Sequence, residues 1–195
     1  MIVEVKPRMI RGNWEAGWTL DWCTTAGTNS TSQSPNTRTG IGELIYGLKV
    51  TCDYTNIEPL AELSTAFLRG CEFLRSTAVI IPVPHSIKDR PFQPVPELAQ
   101  RIGRHIGLRV DASYLTAIPA EARPGGDATP RRKHRAWSGF AIRDRSYAGS
   151  SVLVIDDVYL TGKTLRTVAE SIYTQGQVGC VYVLTMARRR RRKRG

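Results

Sequence analysis

The chain has 195 residues, of which 41% are hydrophobic and 23% charged, and a formal net charge of +11. That length suits one α/β domain with additions. No apolar run approaches the roughly 20 residues that a membrane-spanning helix needs, so a helical membrane protein is excluded.

Cys23, Cys52, Cys71 and Cys180 are scattered and form no C-x-x-C pair. This spacing argues against a zinc site and for reduced, buried thiols in a cytoplasmic protein. Met1 to Lys6 alternates charged and aliphatic residues and reads as a strand, not as a signal peptide. Trp14, Trp18 and Trp22 stand at i, i+4 and i+8, which would line one helix face. Gly12, Gly17 and the threonines from Thr19 to Thr25 argue instead for a hairpin whose tryptophans cap the core, with a base-stacking platform as the alternative. Residues 26–36 are mostly Ser, Thr, Asn, Gly and Pro and read as a loop.

Residues 39–49 show a helical stripe at Ile41, Leu44, Ile45 and Leu48, with Thr39 as its N-cap. Pro59 suits the first turn of a second helix, whose apolar face is Leu60, Leu63, Phe67, Cys71 and Leu74. Residues 1–58 are expected to form a hood or flanking layer on a core at 78–187, within one domain over 1–187.

The core opens with the aliphatic strand 78–84, ended by Pro82 and Pro84. The loop after it carries His85, Ser86, Lys88 and Arg90. A basic turn between strand and helix suits an anion, and Lys88 and Arg90 are candidates for a pyrophosphate. A helix follows over 95–106, with Leu98, Ile102 and Ile106 on one face. A strand is expected at Leu108 to Val110 or at Tyr114 to Ile118. Periodicity then vanishes over 119–135, which carries Arg123, Arg131, Arg132, Lys133 and Arg135. A segment of this length and charge reads as a lid over a polyphosphate or as a solvated loop. Trp137 to Ile142 is a short apolar return.

The most informative stretch is residues 152–164. Val152 to Ile155 suits a strand buried on both faces of a parallel sheet. Asp156 and Asp157 follow at its end. A turn with Thr161, Gly162 and Thr164 then leads into a helix whose stripe is Leu165, Val168, Ala169 and Ile172. Helix-start amides and the helix dipole make such a turn an anion site, and Gly162 permits close approach or a positive φ. Carboxylates beside a phosphate cradle are better explained as acceptors for sugar hydroxyls. The stretch therefore reads as a site for a ribose 5-phosphate unit. The last strand is residues 179–187. Alternating strands and helices from Ala78 onward imply a mainly parallel sheet flanked by helices, with ligands at the carboxyl ends of the strands.

The chain ends in Arg188, Arg189, Arg190, Arg191, Arg192, Lys193 and Arg194. Removing these seven charges from the net charge of +11 leaves +4 on the remainder. The run should repel itself and stay disordered. It reads as a phosphate-seeking arm for nucleic acid or as a solvated end.

Residues 152–164 resemble the motif of type I phosphoribosyltransferases that binds 5-phosphoribosyl 1-pyrophosphate (PRPP): four aliphatics, two acids, an aliphatic, two variable residues, Thr-Gly, a small residue and Thr. Lys163 stands where Gly, Ser or Ala is usual. Outside the motif, residues 41–49 look like the lysine-ended helix near the start of ComF-family proteins. Pro82-Val83-Pro84-His85 with Arg90-Pro91-Phe92-Gln93, and the segment from Arg131 to Phe140, are similar to two further blocks of that family. The four-cysteine zinc module with which many ComF-type proteins begin is missing.

The resemblance implies a type I phosphoribosyltransferase fold and transfer of a 5-phosphoribosyl group from PRPP, carrying Mg2+, to an unidentified acceptor with release of pyrophosphate. It implies that Asp156 and Asp157 hold the ribose diol and reach Mg2+ through water. Val158, Tyr159, Leu160, Thr161, Gly162, Lys163 and Thr164 would hold the 5′-phosphate. His85, Ser86, Lys88 and Arg90 would take pyrophosphate beneath the arginines of the lid. The competing readings are a PRPP or nucleotide sensor without chemistry and a nucleic-acid accessory protein acting through its tail. A homo-oligomer is left open.

Overall fold

The computed structural model describes residues 3–25, 37–84, 93–119 and 137–190. It is an α/β structure built on a five-stranded sheet of order β1-β2-β7-β6-β3. The strands are β1 (Arg8–Met9), β2 (Ala16–Trp22), β3 (Thr77–Pro82), β6 (Ser151–Tyr159) and β7 (Cys180–Arg188). β2, β7, β6 and β3 run parallel, and only β1 is antiparallel to its neighbour.

The aliphatic run of β6 is fully buried from Val152 to Ile155, as a central parallel strand must be. Its side chains alternate between two cores. Val152 and Val154 join Val79, Ile81, Val181 and Val183 against α4 (Lys163–Thr174), where Leu165, Val168, Ala169 and Ile172 are all buried. Leu153 and Ile155 join Ile80, Leu184 and Met186 on the other face. That face is covered by α1 (Gly40–Tyr46), α2 (Ile57–Arg69) and α3 (Pro94–Ile106). Thr39 caps α1 as its spacing predicts, its hydroxyl accepting from the Gly42 amide.

Two N-terminal expectations are corrected. The strand expected over Met1 to Lys6 is instead Arg8–Met9. Pro7 has no N–H to give a ladder, and residues 3–7 contribute packing by Val3 and Val5 and one bond from the Lys6 amide to the Leu20 carbonyl. The hairpin exists as β1–β2, but β2 does more than cap. It pairs with β7 along its length and forms an interior strand of the central sheet. Leu20 and Thr19 are both fully buried, so the strand has a packed neighbour on each face. Trp14 lies in one core and Trp18 packs on the other, stacked on Phe73 at 5.2 Å.

β4 (Leu115–Pro119) and β5 (Trp137–Ile142) stand apart as an antiparallel ribbon, so the alternation after Ala78 does not place both in the parallel sheet. β4 is buried at Leu115 but exposed at its far end, with Ile118 42% exposed. It has no second face to offer a central position. The other expected strand in this region survives as a single parallel bridge from Val110 to Ile80. The ribbon is fastened to α4 by bonds from Ser171 Oγ and Gln175 Nε2 to the Phe140 carbonyl. Its base is tied down by Asp111, whose buried carboxylate accepts a bidentate pair from Arg143 at 3.1 and 3.0 Å, with Ser113 and Tyr147 also donating to it. None of the four cysteines is fully buried, against the expectation, and Cys52 is exposed at a left-handed turn of φ 55°.

Candidate functional site

Because β2, β7, β6 and β3 run parallel, their carboxyl ends share one edge of the sheet. A cavity of about 1030 Å³ opens there. Each strand supplies part of its wall: Val83 and Pro84 after β3, residues 156–165 from β6 into α4, Arg189 after β7, and Cys23 and Thr24 after β2. Arg38, Tyr46, Lys49 and Val50 close the remaining side. Every residue that the sequence assigned to the diol and the 5′-phosphate, from Asp156 to Thr164, lines this one cavity.

The local geometry narrows the assignment. β6 does not stop before the acids but runs through Tyr159, with Asp156, Val158 and Tyr159 paired to Thr185, Ala187 and Arg188. Val158 and Tyr159 are therefore still part of the ladder with β7, and the Tyr159 carbonyl accepts from the Arg189 amide at 2.9 Å. The turn that remains to meet an anion is Leu160 to Gly162, followed by the first residues of α4.

Gly162 adopts φ +75°, as its place in the motif requires, and a Cβ there would lie 2.8 Å from the Tyr159 ring. The Thr161 carbonyl accepts from Arg166 at 2.9 Å, and the Arg166 carbonyl accepts from Asn13, so the turn is held from outside. Gly162→Ala places a side chain in the left-handed region and against that ring. The left-handed conformation alone costs about 1–2 kcal/mol. Thermal unfolding should show a fall of roughly 2–8 °C.

The acids differ. Asp156 Oδ1 accepts from the Asp157 amide at 2.8 Å. Asp157 is 8% exposed, and its Oδ2 is held by Lys49 Nζ at 2.7 Å. Lys49 lies in a π-helical turn, Gly47–Thr51, that continues α1. α1 is set directly against the end of β2, since a Cβ on Gly42 would lie 1.9 Å from the Cys23 carbonyl oxygen. Burial pushes the Cys23 thiol up, against the opposing pull of Arg189 and Lys49, so at neutral pH it is a small protonated group in the wall and no nucleophile.

Sequence reasoning gave Lys49 no role, and it did not identify Arg38, Tyr46 or Arg189 as part of the site. Lys49 carried a readable signal: it follows Ile45 by four residues, so it is a lysine beside the buried stripe of its helix. The other three are brought in by tertiary packing alone. Of the remaining assignments, His85, Ser86, Lys88 and Arg90 lie outside the described residues, as do Arg131, Arg132, Lys133 and Arg135. The residues leading into the first of these groups, Val83 and Pro84, do line the cavity.

The tail expectation is corrected in part. Arg188 to Arg190 are placed by the fold, because pairing with β6 extends to Arg188 and aromatic rings take the guanidinium groups. Arg188 stacks on Trp22 and Tyr159 at 4.9 and 5.3 Å, and Arg190 on Trp22 at 4.4 Å. Arg191, Arg192, Lys193 and Arg194 lie outside the described residues. Among the described residues no helix is long and apolar enough to cross a membrane.

The sequence matches no protein-family model and no curated protein. Solved structures with a similar arrangement include the allosteric regulatory enzyme of purine biosynthesis, at 15% identity and a TM-score of 0.45 over 68% of this chain. The chain spans 26% of that protein's length. A hypothetical protein from Neisseria gonorrhoeae with bound ppGpp gives 11% identity and a TM-score of 0.47, covering 73% of this chain and 72% of that one. Adenine phosphoribosyltransferase from Leishmania tarentolae gives 14% identity and 0.44, covering 82% and 79%. Likenesses this distant transfer no activity, so a function has to be argued from the cavity itself.

Proposed function

We propose that the chain is a phosphoribosyltransferase that binds PRPP in the rim cavity and transfers its 5-phosphoribosyl group to an acceptor. The observation that carries this is the convergence of Asp156, Asp157 and the Thr161–Thr164 turn on a single cavity at the carboxyl ends of parallel strands. That is where a ribose 5-phosphate needs a diol acceptor and an anion cradle side by side. The ComF-like blocks at residues 41–49 and 82–93 belong to the same proposal. So does a cytoplasmic location, which four free cysteines suit.

In this reading Leu160 to Thr164 donate amides and hydroxyls to the 5′-phosphate, and Lys163 adds a charge. Asp156 and Asp157 accept from the 2′ and 3′ hydroxyls. Lys49 holds one oxygen of Asp157 and leaves the other to face the sugar. The C1–O bond breaks, its electron pair leaves with pyrophosphate, and the lone pair of the acceptor nitrogen bonds to C1, with a proton lost to solvent where that nitrogen carries one. Positive charge grows on the ring as this happens, and the acid pair beside it stabilises that charge. The cavity walls supply orientation.

Mg2+ fits these residues as a passenger of the substrate. No group of three or more His, Cys, Asp or Glu forms a metal cage among the described residues. One or two carboxylates plus substrate phosphates is, however, the donor set that Mg2+ commonly takes. Asp156 and Asp157 would hold it through water, and it would neutralise charge on the departing pyrophosphate.

The test is pyrophosphate release from PRPP and Mg2+ across a panel of nucleobases and heteroaromatic carboxylates. Release with at least one acceptor is expected. PRPP binding without release from any acceptor supports the second reading, a sensor without chemistry. The observations that favour a sensor are Lys163 in the turn and the contact of Asp157 with Lys49. Lys49→Met separates Lys49's positioning role from simple packing. KM for PRPP should rise by roughly tenfold, the equivalent of about one charge-assisted hydrogen bond, and Lys49→Arg should restore part of it. A KM unchanged in Lys49→Met removes Lys49 from the site.

A further inference from the structure

Asp156 and Asp157 are the only carboxylates lining the cavity among the described residues, and both belong to the sugar end. The other charged side chains on its wall are cations: Arg38, Lys49, Lys163 and Arg189. Lys163 stands at the phosphate turn and Lys49 is taken by Asp157. Two arginines remain, on the side away from the turn or beside the β7 end. Arg38 stacks on the Tyr46 ring at 3.6 Å and shares Glu43 at 3.3 Å. Arg189 forms no ion pair with any carboxylate among the described residues, while its main chain is fixed to Tyr159 at 2.9 Å. A pocket that must bring a second reactant to the ribose thus presents arginine and an aromatic ring.

Arg38 already has Glu43, but a neutral nucleobase would give the Arg189 guanidinium on the wall no anion to pair with. A planar acceptor bearing a carboxylate would meet the forked donors of an arginine in bidentate geometry and lay its ring against an arginine-capped aromatic wall. We propose that the acceptor is an anionic heteroaromatic compound, a ring nitrogen nucleophile carrying a carboxylate, held by Arg189 with Arg38 beside it. This rests on the phosphoribosyltransferase reading for the identity of the second reactant, but the binding preference can be measured without turnover. The bond changes are those given above, with the carboxylate a spectator that orients the ring.

The experiment measures binding of orotate against uracil, and of nicotinate against nicotinamide, to the full chain by calorimetry, with and without ribose 5-phosphate. At least one carboxylate should bind roughly tenfold or more tightly than its neutral partner. Arg189→Gln should abolish that preference. Arg190→Gln, whose guanidinium lies on Trp22 away from this cavity's wall, should keep it and controls for folding. Equal affinities within both pairs, or a preference untouched by Arg189→Gln, overturns the proposal. Either result leaves the ribose-phosphate reading standing, because that reading is tested separately, by PRPP and ribose 5-phosphate binding.

Discussion

Asp156→Asn together with Asp157→Asn should abolish PRPP turnover and weaken PRPP binding by about two orders of magnitude or more, in a chain that still folds. Each acid would accept hydrogen bonds from ribose hydroxyls, and a bond to a charged group contributes about 1.5–3 kcal/mol. Two such losses correspond to roughly 10²- to 10⁴-fold in affinity. The fold should tolerate the change, because both side chains lie at the open edge of the sheet and line the cavity. Asparagine keeps their shape. Lys49, which loses its partner, is 34% exposed in its side chain and can turn to water. Isothermal calorimetry with PRPP and Mg2+, beside a thermal melt, checks both halves. Retained affinity in a folded double variant would remove the acids from the sugar site.

The largest effect on stability is expected at the base of the β4–β5 ribbon. Arg143→Ala should destabilise the fold, since it takes the charged partner from a carboxylate that is 5% exposed and leaves it only Ser113 and Tyr147. Thermal unfolding should register this as a lower midpoint than that of any surface arginine variant. The same network sets a pH dependence. Burial alone would raise the Asp111 pKa, but bonds from Arg143, Ser113 and Tyr147 outweigh it and hold it at about 2, below the ordinary 3.8. A depressed carboxylate stabilises the fold above its unfolded pKa and loses that contribution as the pH falls toward its folded one. Stability should therefore drop between about pH 4 and pH 2 in the parent chain, and this part of the drop should shrink in Asp111→Asn. A parent and a variant with the same acid profile would show that the network is not what holds the ribbon.

What could be read from the sequence was local. The continuous burial of Val152 to Ile155, the 3.6-residue stripe from Leu165 to Ile172 and the positive φ at Gly162 follow from side-chain size and backbone sterics within a few residues. They located the strand, turn and helix that build the sugar-phosphate end of the cavity. What could not be read was set by pairing over long sequence distances. β2 was mistaken for part of a cap because Trp18, Thr19 and Asp21 blur its alternation, and its place beside β7 depends on a contact across about 165 residues. The end of β6 was drawn too early because two acids look like an exit. β7 instead supplies a ladder through Tyr159. The arginine tail was read from charge repulsion alone, yet Trp22 and Tyr159 hold Arg188 in place. Lys49 lay between these cases, visible as a charge beside an apolar stripe but meaningless until Asp157 was placed opposite.

The most direct measurement compares ribose 5-phosphate with 2-deoxyribose 5-phosphate by calorimetry, in the parent chain and in the double asparagine variant. The two ligands share a phosphate and differ by one hydroxyl. If the turn grips phosphate while the acids read the diol, the ribose compound binds roughly tenfold or more tightly in the parent, and the gap closes in the variant, where the deoxy compound loses only what its 3-hydroxyl contributed. Equal affinity of the parent for both sugars, or a gap that persists without the acids, would contradict the account.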